Sequence, residues 1–110
     1  MSPISLTAGT RRRIALCLLA STCLAASANQ DLARKQGCLA CHAATSKLVG
    51  PAYQDVASKY AGQPDAVAQL VQSIRNGGSG KWGDMAMPPQ TQLSEANAKR
   101  LATWILGGAK

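Results

Sequence analysis

"QGCLACHAAT", residues 36–45, sets Cys38 and Cys41 two residues apart and places His42 directly after the second thiol. Four chemistries use such a stretch: a disulfide, a zinc site, thiol exchange, or a covalent tether to something larger. A bridge between Cys38 and Cys41 closes too short a loop to add much stability, and it leaves His42 unexplained. Zinc takes about four Cys or His ligands, and the chain beyond residue 28 offers only these three. A thiol-exchange motif of this spacing belongs in a βαβ pattern, and no strand-like stretch precedes Cys38. Covalent haem attachment accounts for all three residues. The two thiols add across the haem vinyl groups, one turn of chain carries both to the ring edge, and His42 arrives beneath the iron as its proximal ligand. One covalent haem c is the expected cofactor.

The rest of the chain bears on this choice. At 110 residues it has room for a single domain. Arg11, Arg12 and Arg13, the apolar run "IALCLLASTCLAA" and the small residues closing at Ala28 form a secretory signal pattern. The run is too short for a spanning helix, which needs about 20 apolar residues, so no stable membrane insertion is expected. Cleavage after Ala28 leaves 82 residues, 29–110, as the working domain. Its nine Lys and Arg against five acids give a charge of +4, and the positives are scattered. No run of them makes a nucleic-acid stripe. Export also puts the chain where haem attachment takes place, the periplasm.

A domain of this size buries only about 60% of its unfolded surface and is marginal alone. Its aromatics are Tyr53, Tyr60, Trp82 and Trp104, with no Phe. A bound haem supplies the missing apolar bulk.

The pattern predicts an all-α domain. A short first helix in "NQDLARKQG" stops near Gly37. A second lies in "GPAYQDVASKYAG", with Pro51 in its first turn and Gly62 at its end. A third follows Pro64-Asp65, its face made by Val67, Leu70, Val71 and Ile74 at helical spacing, and Gly77-Gly78 end it. The last opens on Ser94 as N-cap and buries Ala98, Leu101, Ala102 and Ile105. Between them, residues 77–93 are rich in Gly and Pro without periodicity. A loop of that length in a compact domain usually has a function.

That loop holds Met85 and Met87. Because His42 is the chain's single histidine, a second histidine ligand within the chain is impossible, and thioether sulfur is the remaining candidate for the sixth position. Pro88 and Pro89 restrict Met87's backbone, yet residues two apart in an extended stretch face the same way, so spacing leaves both sulfurs open.

"GCLACH", "KLVGPAYQDVASKYAG", "IRNGGSGKWG", "MPP" and "LATWIL", in that order, resemble a small bacterial class I c-type cytochrome of the cytochrome c-551 group. The resemblance runs from about Asp31 to Lys110. It implies a compact four- to five-helix fold around the haem, with Met87 as the axial methionine. Pro51 matches the residue whose carbonyl accepts a hydrogen bond from the proximal imidazole, and Trp82 matches an indole that donates to a haem propionate. The chain departs from the group at Gln90, where Asn is common, and at Asp84-Met85-Ala86, where Pro and Ile are familiar.

With His42 and Met87 filling both axial positions, the reading is a monomeric one-electron carrier with no catalytic residues. Neutral thioether ligation and burial disfavour the extra charge of ferric iron and raise the potential. Transient docking to redox proteins would use an apolar rim of Leu39, Ala40, Leu48, Val49, Met85, Pro88 and Pro89, flanked by Lys47 and Lys81. The resemblance implies a cytochrome bc complex as donor and a nitrite reductase or terminal oxidase as acceptor. The alternative is a peroxidase-like or gas-binding protein with a labile methionine. Export and tethering together predict an intact mass equal to residues 29–110 plus one haem, stable to acid extraction. Retention of residues 1–28, or haem lost to acid, contradicts them.

Overall fold

The structure, a computed structural model, describes residues 24, 25 and 28–110. The leader read over residues 1–28 therefore falls almost wholly outside the described residues. Helix α1 covers 28–35 and stops where Gly37 takes φ +79°, a conformation that costs little only without a Cβ. A single 3₁₀ turn, Cys38–Ala40, follows at once. Helices α2 (Tyr53–Tyr60), α3 (Ala66–Asn76) and α4 (Glu95–Leu106) complete the set. Among the described residues there is no strand. The single sheet-like contact is an isolated bridge between Gly78 and Met87.

The core forms where the apolar faces of α2 and α3 meet α4. Leu70, Val71 and Ile74 of α3 and Ala98, Leu101, Ala102 and Ile105 of α4 are all buried, on the faces their periodicity marks. Val67, expected on the α3 face, is only partly buried against it. Ala33 of α1 joins the same cluster with no exposed surface. Arg100 of α4 also reaches Asn29 of α1 with a 3.3 Å hydrogen bond, so the first and last helices meet. Ser94 caps α4, its Oγ accepting from the Asn97 N–H at 3.1 Å.

Helix α2 starts later than the sequence predicts. Pro51 stands outside the helix and Ala52 takes the extended N-cap position, φ −60° and ψ 142°. The cause is upstream. The N–H groups of Tyr53 and Gln54 donate back to the carbonyls of Ala43 and Ala44, at 2.9 and 3.0 Å. The segment after His42 thus satisfies donors that the first helical turn leaves orphaned.

Leu101 is 1% exposed at the centre of the cluster. Leu101→Ala should cost about 3 kcal/mol through lost burial and a cavity. Ser94→Ala should cost about 1 kcal/mol through the lost cap. Guanidinium unfolding of the haem-loaded protein measures both, and equal costs would contradict this packing.

Candidate haem site

The 3₁₀ turn brings the motif together. The His42 N–H donates to the Cys38 carbonyl at 2.9 Å, and the Cys41 N–H to the same carbonyl at 3.2 Å. Both cysteines are free and half-buried, and burial pushes the Cys38 thiol up from its ordinary value. With His42 they border a cavity of about 570 Å³, within the range of about 300–1,000 Å³ typical of cofactor pockets. Val49, Val56, Leu70, Ile74, Leu101 and Ile105 supply much of its apolar wall.

His42 is held from three sides. Its Nδ1 lies 2.8 Å from the Pro51 carbonyl oxygen. An N–H donated there leaves Nε2 with its lone pair. The Tyr53 ring stacks beside the imidazole, centroids 5.2 Å apart and planes within 15°. The backbone of Gly50 closes the third side. A Cβ on Gly50 would stand 2.8 Å from Nδ1 and 2.9 Å from Nε2, and closer still to Cε1. Gly50 is therefore required for space, since its φ lies outside the left-handed range.

Met87 is held through its backbone. Its N–H donates to the Gly78 carbonyl at 2.8 Å, and the Gly78 N–H returns a bond to the Met87 carbonyl at 3.0 Å. Gly77, at φ +66°, lets this happen, because a Cβ there would collide with the Met87 carbonyl and meet Pro88 C at 2.9 Å. The Met87 side chain is half-buried and packs against the core, whereas Met85 is 71% exposed. Both methionines and Trp82 border the cavity. Gln90 donates its amide to the Pro88 carbonyl at 3.0 Å, and its backbone N–H ties the loop to Ile74 of α3 at 3.0 Å.

The two tryptophans part company. Trp104 is buried in the core with its ring edge-on to Tyr53 at 5.5 Å. Trp82 is 38% exposed and lies outside the core cluster. Leu48 and Val49 are exposed, as are Pro88 and Pro89, and Leu39 is half-buried.

These residues fit a covalently held haem: two free thiols, one imidazole with its outer nitrogen already committed, and an apolar cavity bordered by all three. The family model for cytochrome c matches residues 26–109. The chain belongs to the cytochrome c family. Cytochrome c-552 of Hydrogenobacter thermophilus is 57% identical over 79 residues, 72% of this chain and 80% of that protein. Cytochrome c-551 of Pseudomonas aeruginosa is 52% identical over 75 residues, 68% of this chain and 71% of the other. The crystal structure of wild-type Nitrosomonas europaea cytochrome c552 superposes with a TM-score of 0.69 at 50% identity, covering 71% of this chain and 96% of that one. The chain is a small class I cytochrome of the c-551 group, all-α, with one covalently bound haem c. Like its relatives it is an electron-transfer protein.

Sequence reasoning missed two members of this cytochrome's site, Gly50 and Tyr53, and one residue just outside it, Lys59. Gly50 was visible inside "VGP" but carried no signal beyond its neighbour Pro51. Tyr53 reads as packing, and its place beside His42 follows only from the return of residues 43–44 onto the start of α2. Lys59 is one of the scattered positives and carries no signal of its own in the sequence. Its ammonium instead lies over the Trp82 ring, 4.3 Å from the centroid.

Gly50→Ala should displace the imidazole and destabilise the haem-loaded protein by about 2 kcal/mol, the usual cost of overpacking. Gly107→Ala, at φ −79° and with no contact closer than 3.4 Å, is the control. It should change stability by about 0.5 kcal/mol or less. The shift of the His42 ring protons by NMR, absent in the control, checks the cause.

Proposed function

We propose that the cytochrome is exported, loses residues 1–28, and works in the periplasm as a monomeric one-electron carrier rather than an enzyme. His42 and Met87 are its axial ligands. Donor and acceptor are redox proteins that dock transiently, a cytochrome bc complex on one side and a nitrite reductase or terminal oxidase on the other. The single observation that carries the reading is the 2.8 Å contact of His42 Nδ1 with the Pro51 carbonyl. It commits one ring nitrogen, leaves the other as a σ donor, and fixes the ring plane. A hydrogen bond of this kind is the usual partner of a metal-bound imidazole.

When bound, the haem supplies an iron that changes oxidation state by one electron. The chain's own residues do the rest. Cys38 and Cys41 hold the group in place and bring its edge toward the surface. Met87, with its backbone fastened to Gly78 in both directions, presents a soft neutral sulfur with little freedom to withdraw. Filling both axial positions leaves no vacancy for a substrate. The peroxidase-like alternative is disfavoured, because it needs distal acid–base help and the chain carries no second histidine. Leu48, Val49 and Met85 are 49%, 53% and 71% exposed, an apolar rim for partner contact, with the exposed Lys47 and Lys81 as border. Among the described residues no helix is long and apolar enough to cross a membrane.

The ligand assignment is tested on the purified protein. Met87→Ala should abolish the methionine-to-ferric-iron charge-transfer band, lower the reduction potential, and admit cyanide or carbon monoxide readily. Met85→Ala should keep the band and shift the potential only slightly. The opposite pattern assigns the ligand to Met85. Retention of the band in both single variants shows that the two sulfurs substitute for each other.

A further inference from the structure

Lys59 stands in the last turn of α2, where a cation ordinarily does no more than face the negative end of the helix dipole. Its ammonium is engaged elsewhere. Nζ donates to the Lys81 carbonyl at 2.9 Å, across 22 residues of sequence. The same nitrogen sits 4.3 Å from the centre of the Trp82 ring. Two consecutive residues of the loop, one by its backbone and one by its side chain, are therefore fastened to α2 by one charge.

That fastening matters because the loop has little else. Residues 79–86 are all exposed. Their backbone is closed by the Gly80 N–H bonding to the Gly83 carbonyl at 2.8 Å, with Gly80 at φ +97° and Gly83 at φ +113°. The turn is glycine-flanked and contributes nothing to the core. Trp82 borders the haem cavity and Lys59 does not, so the cation approaches the ring from outside the cavity. A cation over the π-face is attracted to the ring, and by polarising the indole it makes the N–H a better donor.

We propose that Lys59 is the positioning residue for Trp82: one ammonium, bonded to the Lys81 carbonyl and set over the indole, holds the ring at the cavity's border with its N–H free to donate to a carboxylate there. The carboxylate is a haem propionate, and this last clause rests on the reading of Trp82 given by the family resemblance.

The test uses the haem-loaded ferrous protein and follows exchange of the Trp82 indole N–H and the Gly80 amide by NMR. Lys59→Met keeps the alkyl stem and removes the charge. It should speed both exchanges about tenfold, the scale expected from losing one cation–π contact and one hydrogen bond, while the Leu101 amide in α4 stays protected. Lys59→Arg keeps a cation and a donor and should restore exchange to within about threefold. Unchanged exchange in Lys59→Met, or failure of Lys59→Arg to restore it, overturns the positioning role. The carboxylate clause has its own readout, the reduction potential. Trp82→Phe and Lys59→Met should both lower it. If Trp82→Phe leaves the potential unmoved, the propionate reading fails while faster exchange in Lys59→Met still upholds the fastening. If Trp82→Phe lowers it and Lys59→Met changes neither potential nor exchange, the propionate reading survives and the positioning role falls.

Discussion

The hydrogen bond between His42 and the Pro51 carbonyl is the constraint around which the rest of the site is arranged. It ties the attachment turn to the entry of α2, nine residues on. Everything between must loop out and come back, which is why Tyr53 and Gln54, whose N–H groups have no partner within the helix, can donate to Ala43 and Ala44. The same return brings Gly50 against the imidazole, where a single methyl would have no room. A ring with three fixed neighbours has one orientation. As the proposed ligand, such a ring needs no rearrangement when the charge on the iron changes.

The small core is completed by side chains that serve twice. Tyr53 is 4% exposed. It stacks beside His42 on one side and meets the edge of Trp104 on the other, so it joins the site to α4. Burial, with the nearby Cys38 sulfur, pushes its phenol well above the ordinary value, and it stays neutral at any physiological pH. A neutral aromatic beside the imidazole adds bulk without adding a charge that would bias the oxidation state. Leu101 and Ile105 of α4 likewise belong to the helical core and to the cavity wall.

Much of this was legible in the sequence, and the reasons are specific. The helical stripes of α3 and α4 could be read because each uses one face, and Leu70, Ile74, Leu101 and Ile105 fall on it. The C-x-x-C-H stretch named its cofactor because covalent haem attachment employs all three residues and needs no fourth Cys or His, which the chain beyond residue 28 lacks. The start of α2 was misplaced, since local preference puts Pro51 in a first turn while a tertiary contact claims its carbonyl. Gly50 and Lys59 were silent for a related reason. Their roles depend on what folds back against them, Gly50 under an imidazole eight residues earlier and Lys59 over an indole 23 residues later. Spacing along the chain marks neither pair as a contact.

The two-way bond between Gly78 and Met87 has a consequence for how such a loop can change. It seals the excursion at its base, so what happens between the sealed ends has little leverage on where Met87 stands. Chain length and composition over residues 84–86, outside the stretch that Lys59 and the Gly80–Gly83 turn hold, become free variables, because loop closure costs rise only slowly with length. Met87, the proposed ligand, is inherited by the frame, the excursion by whatever the molecule must meet. Asp84-Met85-Ala86 is then no defect in a pattern. It is a replaceable face plate, the part of the surface best able to change without moving Met87.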